Sequence, residues 1–197
     1  MPAKHRLAVF ASGSGSNFAA IAEAVAKGQI VVELVLLVCD QPSAQVIKRA
    51  EVLGIPTLVL SLKDYPSKQA YENAIAQALS DARVSFIALA GYMKLIGETL
   101  LAVYEGRMVN LHPSLLPAYP GREGIRQAYD NDDTLLGATV HYVDSGMDTG
   151  AIIAQDTLTR QSGESLEGIT QRIHHLEHQL YTRVLADLLN KGRDANG

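Results

Sequence analysis

A mostly parallel, twisted β-sheet with helices on both faces is the fold class this chain predicts, on three observations. Short apolar runs alternate with helical stretches along nearly all of the 197 residues, the order that builds a sheet from strand–helix–strand units. A run such as Val31–Cys39 stays apolar almost throughout, as a strand covered on both faces does. The composition, 47% hydrophobic and 19% charged with no Trp, suits an α/β domain over 1–197 that buries a substantial core.

The elements follow in order. Leu7–Ala11 reads as a buried first strand. Ser12-Gly13-Ser14-Gly15-Ser16 is a flexible turn, with Asn17 as cap of a helix from about Phe18 to Lys27 that ends at Gly28. Val31–Cys39 is the second strand, Ala44–Leu53 a helix closed by Gly54, Pro56–Leu60 a third strand and Tyr71–Arg83 a third helix. Ser85–Ala90 gives the fourth strand and Gly97–Tyr104 the next helix. The run that starts at Met108 is the fifth strand, stopped by Pro113, which has no N–H for a ladder. Pro117, Pro120 and Gly121 mark a loop before a short helix at Ile125–Tyr129. Leu136–Val143 and Ala151–Leu158 are further strands, and Ser165–Leu189 is a long helix before a tail expected to fray. No repeat or low-complexity segment interrupts this order.

Charge and composition narrow the function classes. A formal net charge of −4 lacks the basic excess of a dedicated nucleic-acid binder. Cys39 is the only cysteine, which precludes an intramolecular disulfide and reads as a small buried hydrophobe. The opening Met-Pro-Ala-Lys-His-Arg leads into too short an apolar run for a signal peptide, and no stretch reaches the ~20 apolar residues of a membrane span. The expectation is a cytoplasmic protein without membrane or nucleic-acid partners, its oligomeric state undetermined.

Four stretches carry side chains suited to chemistry. In the fifth strand, Asn110 and His112 are two apart and share a face. An amide that donates and accepts, beside an imidazole that titrates near neutrality, suits acyl-group chemistry; the plainer reading is a polar strand end capping a loop. The first loop, Gly13-Ser14-Gly15-Ser16-Asn17-Phe18, places Phe18 where a dinucleotide fingerprint needs its third glycine. Its backbone N–H groups and the Ser16 and Asn17 side chains suit a single phosphate monoester instead; the plainer reading is an ordinary tight turn between strand and helix. His174-His175-Leu176-Glu177-His178 matches the H-x-x-E-H pattern of a zinc protease, but no third ligand is evident, and a polar helix face entering a pocket is the simpler account. Asp144 and Asp148 bracket a glycine-containing turn. Either Asp144 and Thr149 supply turn chemistry, or one of the two carboxylates lies beside His112 and stabilises its imidazolium. Spacing does not choose between them. Lys68 and Lys94 are cations that could meet an anionic substrate, although a lone lysine is ordinarily solvated surface.

Three of these segments together resemble the phosphoribosylglycinamide formyltransferases: Asn110-Leu111-His112-Pro113-Ser114-Leu115-Leu116-Pro117, Ser12-Gly13-Ser14-Gly15-Ser16-Asn17, and His141-Tyr142-Val143-Asp144-Ser145-Gly146-Met147-Asp148. The likeness extends over nearly the whole chain, including Ala90-Gly91-Tyr92-Met93 and the helix bearing Glu177. It implies a Rossmann-like formyltransferase fold and transfer of a formyl group from 10-formyltetrahydrofolate, as co-substrate, to the amino group of glycinamide ribonucleotide, without a metal. It also implies Asn110, His112 and Asp148 as the catalytic set, which selects Asp148 over Asp144. The implied ribonucleotide site is Gly15, Ser16 and Asn17 at the phosphate end and His174 and Glu177 on the long helix. The implied folate site is Lys68, Met93, Lys94, Leu95, Ile96, Asn110 and the loop Asp144, Ser145, Gly146, Met147, Asp148.

Two departures stand out. Lys68 and Lys94 occupy positions where familiar members carry arginine, which removes bidentate recognition. Gly121-Arg122-Glu123-Gly124-Ile125 replaces a histidine-containing loop found in some members. Among alternatives, a methionyl-tRNA formyltransferase typically has alanine where this chain has Pro113, together with an added C-terminal domain. A 10-formyltetrahydrofolate deformylase usually carries an N-terminal regulatory domain. A catalytically dead nucleotide-binding module would lack the asparagine–histidine–aspartate set.

Overall fold

The computed structural model describes residues 4–191; the first three residues of the opening segment and nearly all of the tail expected to fray lie outside the described residues. In chain order the elements are β1 (His5–Ala11), α1 (Ser16–Ala26), β2 (Val32–Cys39), α2 (Gln45–Val52), β3 (Thr57–Val59), a 3₁₀ turn (Leu62–Asp64), α3 (Lys68–Asp81), β4 (Phe86–Leu89), α4 (Glu98–Tyr104), β5 (Met108–His112), α5 (Gly124–Asp130), β6 (Leu135–Tyr142), β7 (Ile152–Thr159) and α6 (Leu166–Asn190). They build one seven-stranded sheet in the order β3-β2-β1-β4-β5-β6-β7. The first five strands run parallel; β6 and β7 add an antiparallel edge.

The strand pleat divides the core between two faces. In β1, Leu7, Val9 and Ala11 pack on one side with Phe18 and Ile21 of α1 and Leu180 and Val184 of α6. Ala8 and Phe10 pack on the other with Tyr71, Ile75 and Leu79 of α3 and Leu100 of α4. Successive side chains of a strand face opposite ways, so apolar residues at every position mean helices on both sides. Tyr181 is fully buried on α6, and its hydroxyl reaches the carbonyls of Leu89 and Val109 at 2.8 and 3.2 Å. That contact pins the helix across β4 and β5, where they turn toward the site.

Several element boundaries differ from the sequence reading by one to three residues, three elements among them for reasons that bear on the site or its surroundings. The first helix starts at Ser16, with Gly15 as its N-cap at φ 76°; Asn17 therefore lies inside the first turn and does not cap it. A Cβ on Gly15 would sit 2.5 Å from Val46 Cγ2, so both the left-handed backbone and the close approach of α2 require glycine here. The third helix begins at Lys68, three residues early, because the Ser67 hydroxyl accepts the Ala70 N–H at 3.0 Å, a serine N-cap. The third strand is only three residues long.

Candidate active site

The strand order reverses between β1 and β4, and in open parallel sheets ligands gather outside the carboxyl ends of the strands at such a point. The phosphate-suited loop leaves β1 there, Gly91–Met93 leaves β4, and Asn110 and His112 close β5. Antiparallel β6 then sets His141 directly opposite Asn110. The turn that follows β6 brings Asp148 back to the same place at φ 55°, a left-handed conformation that non-glycine residues seldom adopt.

The cluster is closely cross-bonded. Asn110 Nδ2 lies 3.3 Å from Asp148 Oδ1 and 3.3 Å from His141 Nε2. His112 Nδ1 is 3.4 Å from Asp148 Oδ2, and His141 Nε2 is 3.4 Å from Asp148 Oδ1. The Gly121 N–H donates to Asp148 Oδ2 at 2.7 Å. Each imidazole is fixed by its other nitrogen: His112 Nε2 meets the Tyr119 carbonyl at 2.8 Å and His141 Nδ1 the Tyr142 carbonyl at 2.7 Å. Burial raises the Asp148 carboxyl, but the hydrogen bonds from His141 and the Gly121 N–H and the charges of His112 and His141 outweigh it, holding the group below the usual carboxylate range. The result is an anionic carboxylate shared by two imidazoles and an amide.

Across the rim, the first loop is gripped by α2. The Gly13 carbonyl accepts the Val46 N–H at 3.1 Å and the Ser14 carbonyl accepts Arg49 Nε at 2.7 Å. Ser16 and Asn17 open α1 behind left-handed Gly15, so the first helical turn presents N–H groups without intrahelical partners, an arrangement suited to an anion. Glu177 on α6 is buried and bonded by the Asn17 side chain; burial drives its carboxyl up to about 7, against the downward pull of that bond. Two polar atoms at this junction, Asn17 Oδ1 and His178 Nε2, are buried without a partner. His174 is an exposed residue, with partial desolvation of its ring lowering the imidazole pKa. Among the described residues no set of three His, Cys, Asp or Glu side chains is grouped to hold a metal ion.

The folate-side residues are more loosely arranged. Met93, Leu95 and Met147 are exposed, whereas Ile96 belongs to the core beside Tyr71 and Leu100 and offers no free side chain. Lys68 Nζ stands 3.9 Å from buried Glu72, and Lys94 Nζ 3.9 Å from buried Asp40. Asp144 supplies turn chemistry: its Oδ1 accepts the Gly146 N–H at 3.0 Å and the Thr149 hydroxyl at 2.7 Å. Ser145 and Gly146 belong to that turn, which delivers Asp148 to the cluster.

Residue reasoning omitted two contributors. Nothing in its local sequence marks His141, and only the β5–β6 register reveals that it faces Asn110. Tyr119 acts through its backbone carbonyl, which residue type does not advertise.

Fold and cluster together define a class: an α/β protein whose sheet rim groups an amide, two imidazoles and an anionic carboxylate, a set suited to acyl-group chemistry, next to a helix N-terminus. The chain belongs to the formyl transferase family, whose pattern, described as "Formyl transferase", matches residues 5–185, and it is a formyl-transferring enzyme. It is similar to phosphoribosylglycinamide formyltransferase from Bacillus subtilis (strain 168), at 49% identity over 193 residues, covering 96% of this chain and 99% of that protein. Its structure matches phosphoribosylglycinamide formyltransferase from Bacillus halodurans with a TM-score of 0.93 at 48% identity, covering 96% and 98% of the two chains. Glycinamide ribonucleotide transformylase 1 from Geobacillus kaustophilus matches with a TM-score of 0.92 at 54% identity, covering 94% and 99%.

Proposed function

We propose that this chain transfers the formyl group of 10-formyltetrahydrofolate to the amino group of glycinamide ribonucleotide, as a single cytoplasmic formyltransferase domain over residues 1–197. The products are N-formylglycinamide ribonucleotide and tetrahydrofolate, within de novo purine (IMP) synthesis. The observation that carries the reading is the convergence of Asn110, His112 and Asp148 on one point of the sheet rim, within an enzyme similar to phosphoribosylglycinamide formyltransferases over almost its whole length.

The residues divide the work. The phosphate end of the ribonucleotide lies on Gly15, Ser16 and Asn17, and its amine side faces Glu177 and His174. The folate lies along Lys68, the segment Met93–Ile96 and the Asp144–Asp148 turn. The amine nitrogen attacks the formyl carbon, forming the new C–N bond while the carbonyl electron pair moves onto oxygen. Asn110 Nδ2 and the His112 imidazolium stabilise that oxyanion by hydrogen bonding. On collapse the C=O re-forms, the bond to the folate nitrogen breaks, and His112 delivers a proton to the departing nitrogen. The surplus proton on the new amide nitrogen passes through water to the Asp148–His112 pair, which restores the imidazolium. Asp148 balances positive charge on the ring whenever it is protonated. Holding both substrates together removes much of the entropic barrier. No step calls on a Lewis acid, so turnover is expected to survive chelation.

The direct test follows folate product from 10-formyltetrahydrofolate with and without glycinamide ribonucleotide. Product that depends on the ribonucleotide supports the reading. Product formed without it selects a deformylase, and no product in either case returns the chain to the binding-module class.

A further inference from the structure

The proton donor is gripped from an unexpected quarter. A carbonyl only accepts, so the 2.8 Å contact between His112 Nε2 and the Tyr119 carbonyl requires the proton on Nε2. The other ring nitrogen, Nδ1, lies 3.4 Å from Asp148, outside the ordinary range for N–H···O. Two residues beyond Tyr119, the Gly121 N–H holds Asp148 Oδ2 at 2.7 Å. One short backbone stretch thus touches both members of the pair.

That stretch is held in a conformation that needs support. Tyr119 sits at φ 54°, where a bulky residue is an outlier and persists only when its surroundings over-determine it. The surroundings do so. The Tyr119 hydroxyl donates to Asp133 Oδ2 at 2.8 Å and accepts from Asn131 Nδ2 at 3.0 Å, and Asn131 also donates to Asp133 Oδ1 at 2.8 Å. At the other end, the Ser114 hydroxyl donates to the Ala118 carbonyl at 2.6 Å. The titratable groups around the imidazole are Asp148, His141 on that carboxylate's second oxygen, and the Tyr119–Asp133 anchor.

We infer that Tyr119 is a positioning residue for the proton donor: its phenol, anchored on Asp133, sets the carbonyl that holds His112 Nε2, leaving Nδ1 to hand its proton to the departing nitrogen. The inference rests on the proposed formyl transfer. The transferred proton leaves Nδ1, and the ring ends as the neutral Nε2–H tautomer that the Tyr119 carbonyl already favours.

The test uses the full chain and three variants: Tyr119→Phe, Asp133→Ala and Asp133→Asn, the last keeping an oxygen that accepts the phenol proton. Misplacing a catalytic group is costly, so kcat is expected to fall about tenfold or more in Tyr119→Phe and Asp133→Ala, with both KM values within about twofold and the kcat–pH profile displaced. Asp133→Asn, whose amide oxygen still accepts the phenol proton while its NH2 faces the Asn131 NH2, is expected to lose clearly less than Asp133→Ala. At a pH high enough for the ring to be neutral, imidazole ¹⁵N spectra of the substrate-free protein are expected to show His112 protonated at Nε2 in the wild type and a mixture of tautomers in Tyr119→Phe. Wild-type kcat, an unshifted pH profile and unchanged His112 resonances in Tyr119→Phe would overturn the inference. If Tyr119→Phe does not fold, the Asp133 pair decides: equal loss in Asp133→Ala and Asp133→Asn overturns it. A wild-type chain that forms no product would sink the proposed function, while the spectra judge the clamp separately.

Discussion

Asp148 and Glu177 are both carboxyls withdrawn from water, and the protein treats them in opposite ways. Burial alone pushes a carboxyl upward. Around Asp148 the surroundings answer that push with the Gly121 N–H, the Asn110 amide and two imidazoles, and the group stays below the usual range. Around Glu177 only the Asn17 amide answers, and the carboxyl rises to about 7. One is therefore a permanent anion suited to balancing a protonated histidine. The other switches charge near neutrality in a pocket with unpartnered polar atoms, which suits a group that awaits a ligand. Burial is common to both; the number of fixed donors separates them.

The largest effect should come from removing the permanent anion or its partner. Asp148→Asn and His112→Ala are each expected to lower kcat by about 10²–10⁴, the range for loss of positioned acid–base catalysis, while circular dichroism stays that of the wild type. Near-wild-type turnover in both would break the contrast, because Asp148 would then be as structural as any buried polar residue.

The second prediction concerns stability and runs the other way. The Glu177 carboxyl binds its proton more tightly in the folded chain, at about 7, than at its ordinary 4.5. The stability from that protonated form is complete below about pH 4.5 and is lost as pH rises through about 7. Moving the group that far corresponds to about 3 kcal/mol. Glu177→Gln should therefore gain most over the wild type in Tm at pH 8 and least at pH 5. Asp148 makes the mirror-image contribution, present above its ordinary 3.8 and lost only as pH falls through its lower folded value. A wild-type Tm that is flat between pH 5 and 8 would remove the distinction between the two carboxyls.

The third measurement sharpens which pocket is which. Replacing Ser16 and Asn17 together by alanine should raise the ribonucleotide KM by about tenfold, the scale of one or two lost hydrogen bonds to a charged group, and leave the folate KM within about twofold. Equal effects on both would mean that the start of α1 is not the phosphate cradle.

What was legible beforehand followed the range of the interactions. Period-two alternation is local, so Asn110 and His112 could be placed on one face from their spacing alone. Pairing across β5 and β6 is not local; His141 acquires its position only from the register, which a one-residue slip would invert. The start of the third helix is legible in Ser67, a favoured N-cap type whose hydroxyl accepts the Ala70 N–H. The first helix is misleading on the same criterion: Asn17 is a favoured capping type, yet the left-handed turn at Gly15 starts the helix earlier. Tyr119 was beyond reach because its contribution is a carbonyl that every residue carries. The choice of Asp148 over Asp144 came from resemblance, and the geometry gives its reason: Asp144 spends its oxygen on the turn that swings Asp148 toward His112.

The smallest effect belongs to the two lysines, and it extends the contrast to a second pair of carboxyls. Asp40 and Glu72 are buried like Glu177 but already have neutral donors, the Ser12 hydroxyl and the Gly97 N–H respectively. Lys94 and Lys68 approach them only to 3.9 Å, with side chains 39% and 44% exposed. Such long, half-solvated pairs contribute about 1 kcal/mol or less. Lys68→Ala and Lys94→Ala should therefore leave Tm almost unchanged. Each should raise the folate KM by about two- to fivefold at low salt, a loss that fades as added salt screens the exposed charge. Arginine at either position supplies a planar fork for carboxylates, so Lys68→Arg and Lys94→Arg should lower that KM rather than raise it. A lower Tm with an unchanged folate KM in the alanine variants would reverse the assignment, making the lysines partners of buried acids and not of the substrate.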